Sequence, residues 1–287
     1  MSAAAPAGTG LVPRAAFWRR LLRDPRALLG LGLVALALLG ALLAPLLPLP
    51  GPEAPDFLAT LAPPGAGHPL GTDDLGRDTL SRILAGAQVS LLVGLCSVGA
   101  ALLLGGAIGL FAGFLGGWVD LVLMRLMDVL LAFPGILLAL GITAALGASL
   151  GNTILAIAAV NLPVMARVAR GQALALRGLD YVRAQQALGF GPMTILWRAV
   201  LPNALSPILV QGSVLLASSI ITESYLSFLG LGVQPPTPSW GNMLRDAIGF
   251  LDQAPWLAWF PGLAIFLTVL GFNLLGDGVR DRLDPRD

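Results

Sequence analysis

"RGLDYVRAQQALGFGPMTILWRAVLPN" (177–203) lies between two blocks of almost unbroken hydrocarbon, yet it carries arginines, glutamines, a Gly-Phe-Gly-Pro break and a closing Leu-Pro-Asn. Its local logic is helical. Asp180 can cap a helix whose two turns, "YVRAQQAL" (181–188), close at Gly189 in the C′ position. Pro192 suits the first position of a next helix, "MTILWRAV" continues it, and Leu201-Pro202 marks a second break before the hydrocarbon resumes. The stretch therefore predicts a short helix, a tight corner and a second short helix, all outside a bilayer. On the first, Tyr181 and Leu188 are apolar at near-helical spacing, beside the small Ala184 and Ala187. Such a ridge suits a groove in another protein or a lipid headgroup surface, and eight residues do not choose between them.

The flanking blocks decide the class. Hydrophobic residues make up 56 % of the chain and charged residues 11 %, against about a quarter charged in ordinary soluble proteins. A helix needs about 20 apolar residues to cross the hydrocarbon, and uncharged runs of that order recur. One follows Arg26 and is broken by Pro45, Pro48, Pro50 and Pro52; another reaches from Ile83 to Val119. The run between Asp128 and Arg167 is long enough for two crossings, with "GASLGN" (147–152) as the turn between them. A fifth follows Arg198 up to Glu223, and a sixth lies between Asp252 and Asp277. The expectation is an all-α polytopic membrane protein with six transmembrane helices. Residues 1–26 form an arginine-rich arm, 27–48 the first helix, 49–87 an external loop and 88–287 a core of five helices. That core holds a cytoplasmic segment over 171–203 and an external loop over 231–257. The first run is too long for a signal-peptide core and lacks a small-x-small cleavage site.

Arginine sets the expected orientation, because the chain contains no lysine. Arg14, Arg19, Arg20, Arg23 and Arg26 precede the first run; Arg167, Arg170, Arg177, Arg183 and Arg198 surround the opening stretch; Arg280, Arg282 and Arg286 follow the last run. An even number of crossings puts all three groups on one side, and the positive-inside rule makes that side, with both termini, cytoplasmic. A bacterial cytoplasmic membrane is the expected location.

Several chemistries are excluded or disfavoured. Without lysine there is no Walker A loop, so the chain has no nucleotide-hydrolysing site of that kind. The single histidine, His68, reads as a solvated loop residue without partners for zinc. Asp73, Asp74 and Asp78 do not have calcium-loop spacing; Thr72 as an N-cap with acids in the following turn accounts for them. No metal site, catalytic site or nucleic-acid surface is expected. Arg125 and Asp128 read as a local ion pair. Trp240, Trp256 and Trp259 read as interfacial anchors. Gly105, Gly106, Gly109 and Gly113 read as a close-packing helix face. Glu223, with Ser227 one turn later, is the one pathway or gating candidate, because an acid in a span is functional by default.

Four stretches resemble one family. "ARVARGQALALRGLDYVRAQQALG" (166–189), "HPLGTDDLGRDTLSRILAGAQVSLLVG" (68–94), "ESYLSFLGLGVQPPTPSWGNML" (223–244) and "GFNLLGDGVRDRLDP" (271–285) are similar to the dipeptide/oligopeptide/nickel group of ABC-importer permeases, in the same order. The match is to the second of that group's two permease subunits. Arg183-Ala184-Gln185, Gly189 and Leu201-Pro202 resemble the family's EAA loop, with Arg183 and Gln185 standing where the general pattern has Glu and Ala. The resemblance implies a type I importer architecture forming half of a translocation pathway. It makes Tyr181, Val182, Arg183, Ala184, Gln185, Ala187, Leu188, Gly189 and Phe190 the coupling helix seated in a cytoplasmic ATPase. The implied partners are a homologous permease, two ATPases using ATP and magnesium, an external substrate-binding protein and the lipid bilayer, with no cofactor on this chain. Peptides are the implied cargo, with nickel or another small solute as the alternative. An autonomous secondary transporter would need coupling-ion residues inside its spans, which are nearly free of acids and histidine.

Overall fold

The structure is a computed structural model describing residues 24–283. Most of the arginine-rich arm, up to Arg23, and the tail from Asp284 lie outside the described residues. Asp24 accepts the Arg26 amide at 2.9 Å and caps α1 (Pro25–Leu43), which starts on a proline that needs no hydrogen-bond acceptor. A loop carries the chain to α2 (Thr79–Leu115), capped by Asp78 accepting the Ser81 amide at 2.8 Å. Helix α2 thus starts inside the stretch expected as loop, and its N-cap is Asp78 rather than Thr72. Thr72 instead ties the loop together, accepting the Ala62 amide at 2.9 Å and donating to the Ala59 carbonyl.

Next come α3 (Gly117–Leu131) and α4 (Gly135–Leu146), bent by 86° at a short break containing Pro134. The third expected crossing is therefore a broken pair. At 1.5 Å per residue α4 alone is about 18 Å long, short of a hydrocarbon core of about 30 Å. Gly147, at φ +90°, and Ser149, which caps the next helix, make the expected turn into α5 (Leu150–Arg177). The short α6 (Asp180–Ala187) follows, then the long α7 (Pro192–Phe228), α8 (Trp240–Ala247) and α9 (Trp256–Leu283). Among the described residues five helices are long and apolar enough to cross a membrane, or six if the bent pair counts as one.

No break interrupts α7 at Leu201-Pro202. A π-helical turn over Leu196–Val200 lets the Leu201 amide reach the Leu196 carbonyl, five residues back. That widened turn makes room for a proline ring that would collide with the carbonyl four residues back in a regular helix. The element is consequently one rod of about 55 Å.

The core forms where small residues let helices touch. Gly105, Gly109 and Gly113 repeat at four-residue intervals along one face of α2 and meet α5. A Cβ at these positions would sit 2.6 Å from the Leu162 carbonyl oxygen, 2.1 Å from that of Ala166 and 2.5 Å from that of Arg170. Gly106, on another face, has no such neighbour. Against this seam pack Leu110, Phe114, Met165, Ala169 and Ala173, joined by Ile195, Leu196, Ala199 and Val200 of α7. Helix α1 packs on α9, where Gly30 and Gly271 permit close approach. Helix α7, bordering α2, α5 and α9, runs through the middle with α6 at one end and α8 at the other.

Candidate functional site

Helix α6 is the short element that projects between α5 and α7. Its first residue is Asp180; the cap position belongs to Leu179, whose carbonyl accepts the Val182 and Arg183 amides at 3.0 and 3.1 Å. The acid lies within the first turn, where its charge still favours the helix dipole. At the other end the Phe190 amide reaches the Gln185 carbonyl at 3.1 Å and the Gly189 amide reaches Gln186 at 3.0 Å. This paired closure needs a left-handed residue, and Gly189 supplies it with φ +80°.

One side chain roots the helix. Val182 is 0 % exposed and belongs to the same apolar cluster as Ile195, Leu196 and Ala199. The Tyr181 hydroxyl, 3.5 Å from the Ala199 carbonyl, adds a weak tie to α7, and burial raises its phenol above the ordinary value. The remaining candidates face outward: Arg183, Ala184, Ala187, Leu188, Gly189 and Phe190 are exposed and Gln185 is half-buried. Leu188 is 76 % exposed, an expensive placement for leucine in water and a natural one against a partner. Sequence reading missed Met193 and Trp197, which are also exposed at the start of α7. Their four-residue spacing was the available sign. A rooted, capped helix with an uncovered apolar edge can transmit force without unfolding.

At the far end of α7 lies Glu223, 0 % exposed. Ser90 of α2 donates to one carboxylate oxygen at 2.9 Å and Ser227 to the other at 2.7 Å. The acid and Ser227 are thus brought together, inside the chain rather than on its surface. Trp240 is 2 % exposed and donates its indole N–H to the Ile83 carbonyl at 3.0 Å, while Trp256 donates to Thr72 at 3.3 Å. Both staple elements together; of the three expected anchors, Trp259, 77 % exposed, alone has the exposure of one.

Charges cluster at the same end. Arg77 Nε lies 2.6 Å from Asp73, Arg82 Nε 3.4 Å from the same carboxylate, and Arg82 Nη2 3.9 Å from Asp246 of α8. His68 is not simply solvated: its Nδ1 lies 3.0 Å from the buried Asp78 carboxylate. Toward the α6 end, Asp128 lies 4.0 Å from Arg125 but 2.8 Å from Arg167 of α5. The expected local pair is secondary to a bond between helices.

Residues 105–286, which hold α6 and Glu223, match the family described as binding-protein-dependent transport system inner membrane component. The chain belongs to this family. Residues 13–64 match the N-terminal transmembrane domain of oligopeptide transport permease C. The chain is 42 % identical over 278 residues to the dipeptide transport system permease protein DppC of Alkalihalophilus pseudofirmus, covering 97 % of this chain and 91 % of that one. It is 45 % identical to the glutathione transport system permease protein GsiD of Pectobacterium atrosepticum, covering 94 % and 90 %. It is 43 % identical to the probable D,D-dipeptide transport system permease protein DdpC of Escherichia coli, covering 88 % and 85 %. Among solved structures, a chain of the MetNI methionine ABC transporter in an inward-facing conformation shares the fold, with a TM-score of 0.58, 17 % identity, and 70 % of this chain and 95 % of that one covered. The family is that of the membrane-embedded permease subunits of ABC importers, as the four quoted stretches led one to expect.

Proposed function

We propose that this chain forms half of the translocation pathway of an importer for short peptides, with α6 as the coupling helix of a separate cytoplasmic ATPase. The single observation that carries the coupling assignment is the two-sidedness of α6. Val182 is locked in the bundle core while Leu188 and Phe190 stand uncovered beside Met193 and Trp197. In this reading both termini and α6 face the cytoplasm, in keeping with the arginine distribution, and the α8 end faces outward. ATP and magnesium act on the partner ATPases; a second permease completes the pathway and an external binding protein delivers the solute. Closure of the ATPases drags α6, and with it α5 and α7, between two arrangements of the bundle.

The cargo assignment draws on relatives named for dipeptide, D,D-dipeptide and glutathione transport, glutathione being itself a short peptide. Specificity would rest largely with the binding protein. Glu223 and Ser227 belong to the gating machinery of the outer end, since Glu223, held by Ser227 one turn along its own helix, also accepts Ser90 of α2. Purifying the complex with its binding protein and identifying the retained solute by mass spectrometry tests the cargo. Peptides of two or three residues are expected; a metal ion or a sugar would overturn it.

A further inference from the structure

Glu223 occupies a costly position. A fully buried carboxylate loses several kcal/mol of hydration unless it is compensated, and among the described residues no cationic side chain lies within 4 Å of it. Hydroxyl groups compensate it instead. Ser90 comes from α2 and Ser227 from the next turn of α7. Ser239 is the N-cap of α8: its Oγ accepts the Asn242 amide at 3.3 Å while Asn242 Oδ1 accepts the Ser239 amide at 2.9 Å. One carboxylate, an acceptor for several donors at once, therefore joins α2 to α7, and the first turn of α8 begins beside that joint.

Backbones crowd around this junction. A Cβ on Gly241 of α8 would come 2.4 Å from the Ser224 carbonyl oxygen, and one on Gly232 would come 2.1 Å from Ser227 Oγ. On the α2 side Gly86 leaves room for the Trp240 ring, whose indole holds the Ile83 carbonyl. The first turn of α8 is thereby clamped into the angle between α2 and α7. A leucine would fill the Glu223 position without that desolvation cost, so packing alone does not account for the acid.

We infer that Glu223 is a positioning residue that fastens α2 to α7 and so fixes the angle in which the first turn of α8 is wedged, so that a protein docked on α8 moves all three together. This rests on the importer reading for its functional half. The clamp is specific to hydroxyl–carboxylate geometry, so a glutamine keeps part of it and a leucine keeps none.

The test uses the assembled complex in lipid with Glu223→Gln and Glu223→Leu, in a Cys96→Ser background. Spin labels on Ile248→Cys, the residue directly after α8, and Leu92→Cys report the separation of α8 and α2. ATPase activity is titrated with the binding protein loaded with a mixture of dipeptides. In the leucine variant, thermal stability should equal or exceed that of the parent while the label distance broadens. The binding-protein concentration for half-maximal stimulation should rise about tenfold, the size of an ordinary coupling change. Glutamine should recover most of both. A leucine variant with parental distances and parental half-saturation would overturn the inference. A parental complex that the binding protein fails to stimulate would overturn the importer reading instead.

Discussion

Arg170 grips Asp120 with two parallel bonds, Nε to one carboxylate oxygen at 2.5 Å and Nη2 to the other at 2.7 Å, fastening α3 to α5 across fifty residues of sequence. Two-point pairing of a guanidinium with a carboxylate is among the stronger polar contacts, though partial exposure of both groups discounts it. Asp120→Asn should cost about 1–2 kcal/mol, read as a lower melting temperature in detergent. The neighbouring Arg167–Asp128 bond, more exposed, should matter less: Asp128→Asn is expected to cost under about 1 kcal/mol. Equal losses from the two variants would contradict this ranking.

The seam between α2 and α5 gives a paired comparison. An alanine at Gly109 places its Cβ 2.1 Å from a backbone carbonyl oxygen, which can be relieved only by parting the helices. Gly109→Ala should cost about 2 kcal/mol or more and reduce the amount of folded protein in the membrane. Gly106→Ala, three residues away with nothing in the way, should be neutral or slightly stabilising, by up to about 1 kcal/mol. Similar yields from the two would show that the seam is looser than described.

Acid should affect the α8 end in a definite direction. Burial raises the Asp246 carboxyl above its usual range, against the pull of Arg82, Arg77 and Arg245, while Asp74 adds to the rise. A raised folded-state value means that the folded protein holds this proton more tightly than the unfolded chain does. The group's contribution to stability is therefore complete below the unfolded value of about 3.9 and is lost as the pH rises through the folded value. Relative to Asp246→Asn, the parent should lose stability over that window. Thermal melts of both proteins between about pH 4 and pH 7 check this, and a difference of the opposite slope would refute it.

Gly189 closes α6 in a conformation that a branched side chain resists. Gly189→Val should be inserted normally, since the added group meets no neighbour within 4 Å, but the closing turn loses about 1–2 kcal/mol. In reconstituted vesicles, ATP hydrolysis should continue while solute uptake falls severalfold. Unchanged uptake per ATP would remove the turn from the coupling role.

How much of this was legible in sequence differs from element to element. The spans, the Gly147 turn, the Gly189 closure and the glycine face of α2 could be read because each depends on residues close together along the chain. Leu201-Pro202 misled, because a π-helical turn absorbs a proline that a regular helix rejects. Arg125–Asp128 misled for a different reason: a contact three residues apart is visible in sequence, whereas the stronger partner, Arg167, lies on another helix. Trp240 and Trp256 carried an interfacial reading until the carbonyls of Ile83 and Thr72 proved to be their acceptors. The pair of serines on Glu223 was only half visible: Ser227 is one turn away, but Ser90 comes from a distant segment. Local periodicity marks where helices are, and only the packing of one helix on another shows which polar groups meet.

The central claim is that α6 seats in a nucleotide-hydrolysing partner. The direct measurement is photo-crosslinking from Ala184→Cys, carrying a benzophenone label in a Cys96→Ser background, in membranes that contain the co-expressed ATPase. The account predicts a covalent adduct with the ATPase, strengthened or weakened by ATP, together with labelling only from the cytoplasmic side. Adducts with lipid alone, or labelling from the outer side, would contradict it.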